Sequence, residues 1–251
     1  MRSEMFLLDI FFLNLLMDDK LVFTATQIEA YAQCPRLFWN RVLEKREEDS
    51  NMTALNMGSL FHTATQSKAI ALDIIRRAKK PLKIRDELVL KNMINQIPEK
   101  MKGAEYVDEM RLESKRECFT VYGRADRIFL HEGKYKIVDY KTSATDMKEE
   151  EVWESMHQWY IYPVLLADEI GLGDEETISF SYIIYKKSSG KIMPEDIGKE
   201  GQVKDFKKIF HELEKKITMS LLSEQYEPNP KPEYRCQYCP SRKLCKDDGI
   251  L

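Results

Sequence analysis

The sequence predicts an α/β (α+β) chain with a helical front third, a strand meander in the middle and a cysteine cluster at its C-terminal end. Three observations carry this. Apolar residues recur at helical spacing from Ile28 to Ile97, period-two segments follow between Glu117 and Tyr140, and Cys236, Cys239 and Cys245 crowd the last turn of the chain. The 251 residues, 43% hydrophobic and 10% aromatic, suffice for one sizeable core.

Phe6 to Leu16 is apolar apart from Asp9 and Asn14. It falls short of the roughly 20 apolar residues that a bilayer crossing needs. No small-residue cleavage site follows, so neither a membrane span nor a signal peptide is expected. Residues 1–20 read as an N-terminal extension, with Met17-Asp18-Asp19-Lys20 resembling an ordinary start, and 21–251 as one domain.

Thr24 or Thr26 caps a helix through Ile28, Tyr31 and Cys34 to Phe38 and Val42, Glu29 completing a capping box with Thr26 and Pro35 interrupting the run. Leu60, Phe61, Ala64, Ile70, Ile74 and Ile75 mark a second helix, and Leu88, Leu90, Met93, Ile94 and Ile97 a third. Strands follow at Glu117–Val121, Ala125–Leu130 and Tyr135–Tyr140, with His131-Glu132-Gly133-Lys134 as the last turn. Glu150–Ile170 reads as one long helix ended by Gly171, Ile178–Tyr185 as a strand and Val203–Leu222 as a Lys-rich amphipathic helix. Glu227–Pro232 is a stiff linker into the cysteines, so 227–251 forms a terminal segment.

Lys plus Arg total 39 against 42 Asp plus Glu, a net charge of −3. No global field draws such a chain onto nucleic acid or an anionic membrane, so any such contact is local. Five cysteines, an odd number unevenly placed, do not form the disulfide framework of a small secreted domain. A reducing, cytoplasmic compartment and a metal site fit better.

The chemistry concentrates in Lys136-Ile137-Val138-Asp139-Tyr140-Lys141. Strand alternation places Ile137, Asp139 and Lys141 on one face and Val138 and Tyr140 on the other. Aspartate is depleted in strands, and most Asp-x-Lys pairs on a strand are solvated surface pairs. Upstream, Gly123-Arg124-Ala125-Asp126 lets glycine bend the chain before Asp126, which the hairpin brings beside Asp139. Two adjacent carboxylates repel unless a divalent cation such as Mg2+ or Mn2+ sits between them, and the lysine can then orient or activate a water.

Gly58-Ser59-Leu60-Phe61-His62, Gly123-Arg124-Ala125-Asp126, Asp139-Tyr140-Lys141 and Gln158-Trp159-Tyr160-Ile161-Tyr162 occur in the order found in RecB-like PD-(D/E)XK nucleases, which the chain resembles from Thr24 to Cys245. The resemblance implies a restriction-endonuclease-like core, a mixed central sheet flanked by helices. It implies metal ligation by His62, Asp126, Asp139 and the Tyr140 carbonyl, with Lys141 serving the attacking water. Gln158 and Tyr162, four apart, share a helix face that approaches the site or the DNA backbone. Pro163 interrupts that helix, at roughly 3 kcal/mol if nothing compensates.

Cys236-x2-Cys239-x5-Cys245, with Cys34 as a distant partner, offers four thiolates for zinc or a 4Fe–4S cluster, and spacing does not choose. The resemblance to the iron–sulfur branch of the family implies the cluster, a clasp and not a catalyst. Cys118 reads as a small buried hydrophobe. Arg124 and Arg127, flanking Asp126, are candidates for phosphate contacts, and Trp153, Trp159, Tyr160 and Tyr162 for base stacking or core. Basic runs at Lys79-Lys80, Lys83 and Arg85, at Lys186-Lys187 and at Lys204, Lys207 and Lys208 read as solvated faces or DNA contacts.

The implied activity is a metal-dependent DNA exonuclease, acting on single strands or DNA ends in recombination and repair or in CRISPR spacer acquisition. The alternative is a non-catalytic DNA-binding or scaffold subunit; a degenerate homologue would have lost an acid or the lysine, and Asp126, Asp139 and Lys141 are all present. No Gly-x-x-x-x-Gly-Lys motif occurs, so a helicase, like a recombinase or integrase, would be a separate partner.

Overall fold

Strand β1 (Leu21–Thr24) leads straight into helix α1 (Ala25–Gln33). Of the two candidate caps Thr24 is the one used, and its box partner is Gln27 in place of the expected Thr26–Glu29 box. Thr24 Oγ1 accepts the Gln27 N–H at 3.2 Å while Gln27 Oε1 accepts the Thr24 N–H at 2.7 Å. Glu29 is thereby released from capping and turned into the core, where its carboxylate accepts the His157 N–H at 2.9 Å. The helix does not run on to Val42. Cys34 is extended, and Pro35, its missing N–H harmless at a first helical position, starts a short helix Pro35–Phe38 that continues as a π-turn, Trp39–Leu43.

The computed structural model describes residues 21–46, 59–65, 67–77, 88–89, 91–93, 105–143, 147–188, 191–192, 197–230 and 233–251. Expectations for Phe6–Leu16, Met17, Gly58, Lys79–Arg85, Leu90, Ile94 and Ile97 lie outside them. The second predicted helix is two, α2 (59–65) and α3 (Lys68–Arg77), with the Ser67 hydroxyl accepting the Ile70 N–H to start the second. Residues 88–89 and 91–93 are helical.

Strands β2 (Glu105–Lys115), β3 (Phe119–His131) and β4 (Lys134–Ser143) form the meander. The two predicted strands around Gly123 are one, and β1 and β2 were not anticipated. Glu132 and Gly133, at φ 49 and 75, make the two-residue turn between β3 and β4, the left-handed pair that suits a twisted hairpin. The predicted Glu150–Ile170 helix breaks at Met156–His157 into α4 (Glu149–Ser155) and α5 (Gln158–Ile170), which runs through Pro163 and ends at Gly171, φ 73. Then come β5 (Thr177–Lys186), β6 (Lys191–Ile192), β7 (Ile197–Gln202), α6 (Val203–Ser223), a 3-10 turn Glu233–Tyr238 and α7 (Arg242–Asp247).

Among the described residues seven strands make one mixed sheet. β3 is antiparallel to β2 along one edge, while its other edge is divided: β1 runs parallel to Phe119–Tyr122 and β4 antiparallel to Arg127–His131. β4 is parallel to β5, whose far edge carries β7 and β6. α1, α5 and α6 bury one face against Phe119, Val121, Ala125, Ile128, Ile137 and Phe180. α2 and α3 cover part of the other, where Phe61, Ala64 and Ala71 meet Phe129, Val138, Tyr140 and Tyr185. Among the described residues no helix is long and apolar enough to cross a membrane. Asp248 accepts from Arg36 at 2.5 Å and from Arg46 at 2.6 and 3.0 Å, tying the end of α7 to the Pro35 segment. These hydrogen bonds hold its carboxyl at about 2.

Gly123 is not a bend. It lies within the continuous β3, and its bare backbone admits α5: a Cβ there would stand 2.6 Å from Leu165 Cδ1 and 2.7 Å from Tyr162 Cε1. Gly123→Ala is therefore expected to cost about 1–3 kcal/mol by overpacking. Thermal unfolding checks it, with a drop of roughly 2–4 °C per kcal/mol for a domain of this size.

Candidate active site

The last hydrogen-bonded pair before β3 and β4 separate is Arg127 with Val138. Asp126 and Asp139 are the next residue on each strand, so both carboxylates stand where the ladder opens. At this fork Asp126 Oδ2 takes the place of a strand carbonyl and accepts the Tyr140 N–H at 2.8 Å. The Tyr140 carbonyl, on the same strand edge as its N–H, opens toward the same gap.

Local backbone explains why Asp126 can do this. Glu109, opposite it on β2, is left-handed at φ 53, and side-chain alternation reverses there. Met110 and Leu112 pack with the main core while Tyr106 packs with the second. In β3, Ala125 faces the first and Phe129 the second. Asp126 sits at the reversal and projects along the sheet. A left-handed glutamate costs about 1–3 kcal/mol and carries no signal in a sequence.

His62, on α2, brings Nδ1 within 3.0 Å of Asp126 Oδ1. Burial works against its charged form, but the carboxylate outweighs burial and lifts its pKa above the ordinary value. Asp139 is 3% exposed, and burial pushes its carboxyl up to about 7, against the pull of Lys141 and helped by the charge of Asp126. Lys141 Nζ lies 2.7 Å from Asp139 Oδ2 and donates to Gln158 Oε1 at 2.7 Å. Its burial favours the neutral amine, but Asp139, Glu29 and Asp126 hold it as an ammonium. Tyr162 donates its hydroxyl to the Arg124 carbonyl at 3.1 Å.

These residues line one cleft of about 660 Å3 together with Thr24, Thr26, Ser59, Glu109, Arg111, Tyr122 and Arg124. The expected set of His62, Asp126, Asp139, Lys141, Gln158 and Tyr162 is thus brought together. Among the described residues no three His, Cys, Asp or Glu side chains form a ready-made metal cage. The donor set nonetheless suits a hard divalent cation: two buried carboxylates, one imidazole and one carbonyl. Asp139 Oδ2 has the Lys141 ammonium nearby but no hydrogen bond of good geometry.

Arg127 is not a phosphate contact. It is 5% exposed, its guanidinium bound to Asp108 at 2.5 and 3.1 Å and to the Thr65 carbonyl at 2.8 Å. The ring of Tyr106 lies 4.8 Å from it. Nor do the four aromatics form a stacking row. Trp153 is on α4, Tyr160 and Tyr162 are buried, and both tryptophans pack against the main core, where Lys199 lies 3.7 Å from the centre of the Trp159 ring. Lys204 and Lys207 pair with Glu175 and Asp174. Cys118 is partly buried against the main core.

Cys34, Cys236, Cys239 and Cys245 line a second cavity of about 360 Å3. No disulfide joins them. Burial raises Cys236, Cys239 and Cys245, and the negative charge of neighbouring cysteines adds to it.

Residues 22–246 match the family model of the PD-(D/E)XK nuclease superfamily. No curated protein matches in sequence. Among solved structures, a protein from Eubacterium rectale, described provisionally as an exonuclease, shares the fold at a TM-score of 0.57 and 17% identity over 89% of each chain. A protein named SSO0001 matches at a TM-score of 0.45 and 17% identity over 96% of this chain and 97% of its own.

The two arginines flanking Asp126 should separate in a thermal melt. Arg127→Ala leaves Asp108 and a buried carbonyl without their partner and is expected to cost about 3 kcal/mol, the lower end for a broken buried pair because Asp108 is partly exposed. Arg124→Ala, at an exposed position, is expected to stay within about 0.5 kcal/mol.

Proposed function

The chain belongs to the PD-(D/E)XK nuclease superfamily, and we propose that it is a metal-dependent DNA exonuclease of the RecB-like branch, acting on single strands or DNA ends. The observation that carries the reading is the pair of buried carboxylates at the β3–β4 fork, with Lys141 beside them. Members of this superfamily generally use Mg2+ or Mn2+. Here His62, Asp126, Asp139 and the Tyr140 carbonyl would hold the ion. When bound, it supplies Lewis-acid polarisation of the scissile phosphate and a more acidic water.

The chain's own residues do the positioning. Lys141, held between Asp139 and Gln158, orients or activates the incoming water. Gln158 fixes its ammonium. Tyr162 fixes the β3 backbone next to Asp126 through the Arg124 carbonyl. Water attacks phosphorus in line with the leaving ester oxygen, which departs with the proton that the water loses.

The four cysteines are assigned a 4Fe–4S cluster, with zinc the alternative. Their convergence on one cavity from both ends of the chain supports it. As a clasp the site would add to the tie between Asp248 and Arg36 and Arg46. The biological setting assigned is recombination and repair or CRISPR spacer acquisition in the cytoplasm, with a helicase, recombinase or integrase as separate partner.

Purified protein is expected to degrade single-stranded DNA with Mn2+ and to lose this activity with EDTA or in Asp139→Ala. A gel-based assay checks it. Equal activity in wild type and Asp139→Ala would overturn the assignment.

A further inference from the structure

β1, residues 110–115 of β2 and the first half of β3 bury one face against α1 and α5, while on the opposite face most side chains toward the cleft remain exposed and Thr120 is buried. Tyr122 is 42% exposed and Arg124 67%, and Arg111 and Lys115 are exposed as well. The reversal at Glu109 puts Arg111 and Lys115 on this face, because Leu112 and Ser114 between them point inward. Arg111 is the register partner of Arg124, and Glu113 that of Tyr122.

Like charges directly opposite on neighbouring strands destabilise a sheet unless something lies between them. Two carboxylates sit among these cations, and both are more buried. Glu109, 17% exposed, pairs with Arg124, and Glu113, 33% exposed, lies 3.7 Å from Lys115 and also bonds the Tyr122 hydroxyl. The outermost groups are therefore cationic, and one exposed aromatic ring, held by its hydroxyl, stands between them. Among the described residues Arg111 has no anionic partner. Arg111, Tyr122 and Arg124 also line the cleft that contains Asp126 and Asp139, so the face and the site are continuous.

Resting on the nuclease reading above, we infer that this half-face is the track on which a single strand of DNA enters the cleft. Arg111 and Arg124 take successive phosphates, and a base stacks on Tyr122. A single strand fits better than a duplex, whose bases are already stacked and cannot offer a face to Tyr122. The track replaces the pairing of Arg124 and Arg127 expected from sequence: Arg111 supplies the second phosphate contact, across the strands and not along one.

The test is fluorescence anisotropy of a labelled 20-nucleotide oligothymidylate on the full-length protein in EDTA, across a salt series, with Mn2+-dependent degradation measured in parallel. Arg111→Ala is expected to weaken binding about tenfold and to flatten the slope of log affinity against log salt by about 0.7, the share of one phosphate contact. Tyr122→Ala is expected to weaken it roughly tenfold at unchanged slope, as for a lost stacking platform, while Tyr122→Phe, which keeps the ring, restores affinity. Lys215→Ala, at a surface ion pair on α6, is the control. Wild-type binding by both Arg111→Ala and Tyr122→Ala would overturn the track, and if these variants still degrade DNA the nuclease reading stands alone. An equal loss of affinity by Tyr122→Ala for a blunt duplex would overturn the single-strand assignment. Wild type that neither binds nor degrades the oligonucleotide would overturn both readings.

Discussion

The hydrogen bond from the Tyr140 N–H to the Asp126 carboxylate is the contact on which the site depends. A β-ladder normally consumes every N–H along a shared edge, and a buried one left open costs free energy. By supplying a carboxylate in place of the next carbonyl, Asp126 lets β3 and β4 part after Arg127 and Val138 without orphaning that donor. The gap so made holds the second carboxylate, Asp139, and admits His62 and Lys141. Fold and site are thus joined at one atom pair.

The elements around the fork each prevent a different failure. Arg127, one residue before it, is locked by Asp108 and the Thr65 carbonyl, so the ladder cannot fray backward and α2 is tied to β3. Gly123, three residues before Asp126, lets α5 approach close enough for Gln158 and Tyr162 to reach Lys141 and the Arg124 carbonyl. Glu29 anchors the N–H of His157, next to Gln158, and its charge also favours the ammonium of Lys141. Two separate cores, one on each face, hold these parts at fixed distances.

Much of this was legible in the sequence. Alternation put Asp139 and Lys141 on one face because β4 is regular and buried, and Glu132-Gly133 marked the hairpin through glycine's tolerance of a left-handed turn. Asp126 was placed correctly but for an incomplete reason: Gly123 makes room for a helix, and the turn of the side chain comes from Glu109, a residue type that gives no hint of a positive φ. Strands β2 and β7 escaped notice since both are edges, rich in charge, whose pairing is decided by neighbours. Arg127 looked like Arg124 in sequence, and only the presence of Asp108 opposite it on β2 makes one structural and the other exposed. Glu29 lies four residues after the buried Ala25, on the inward stripe of α1, so its burial could have been read from helical spacing.

The central claim is that the fork presents a paired-carboxylate site for a divalent cation. Counting bound Mn2+ by electron paramagnetic resonance on wild type, Asp126→Asn and Asp139→Asn tests it most directly. The account predicts saturable Mn2+ binding by the wild type and its loss in either variant, with both variants still folded. Binding that survives in both would contradict it.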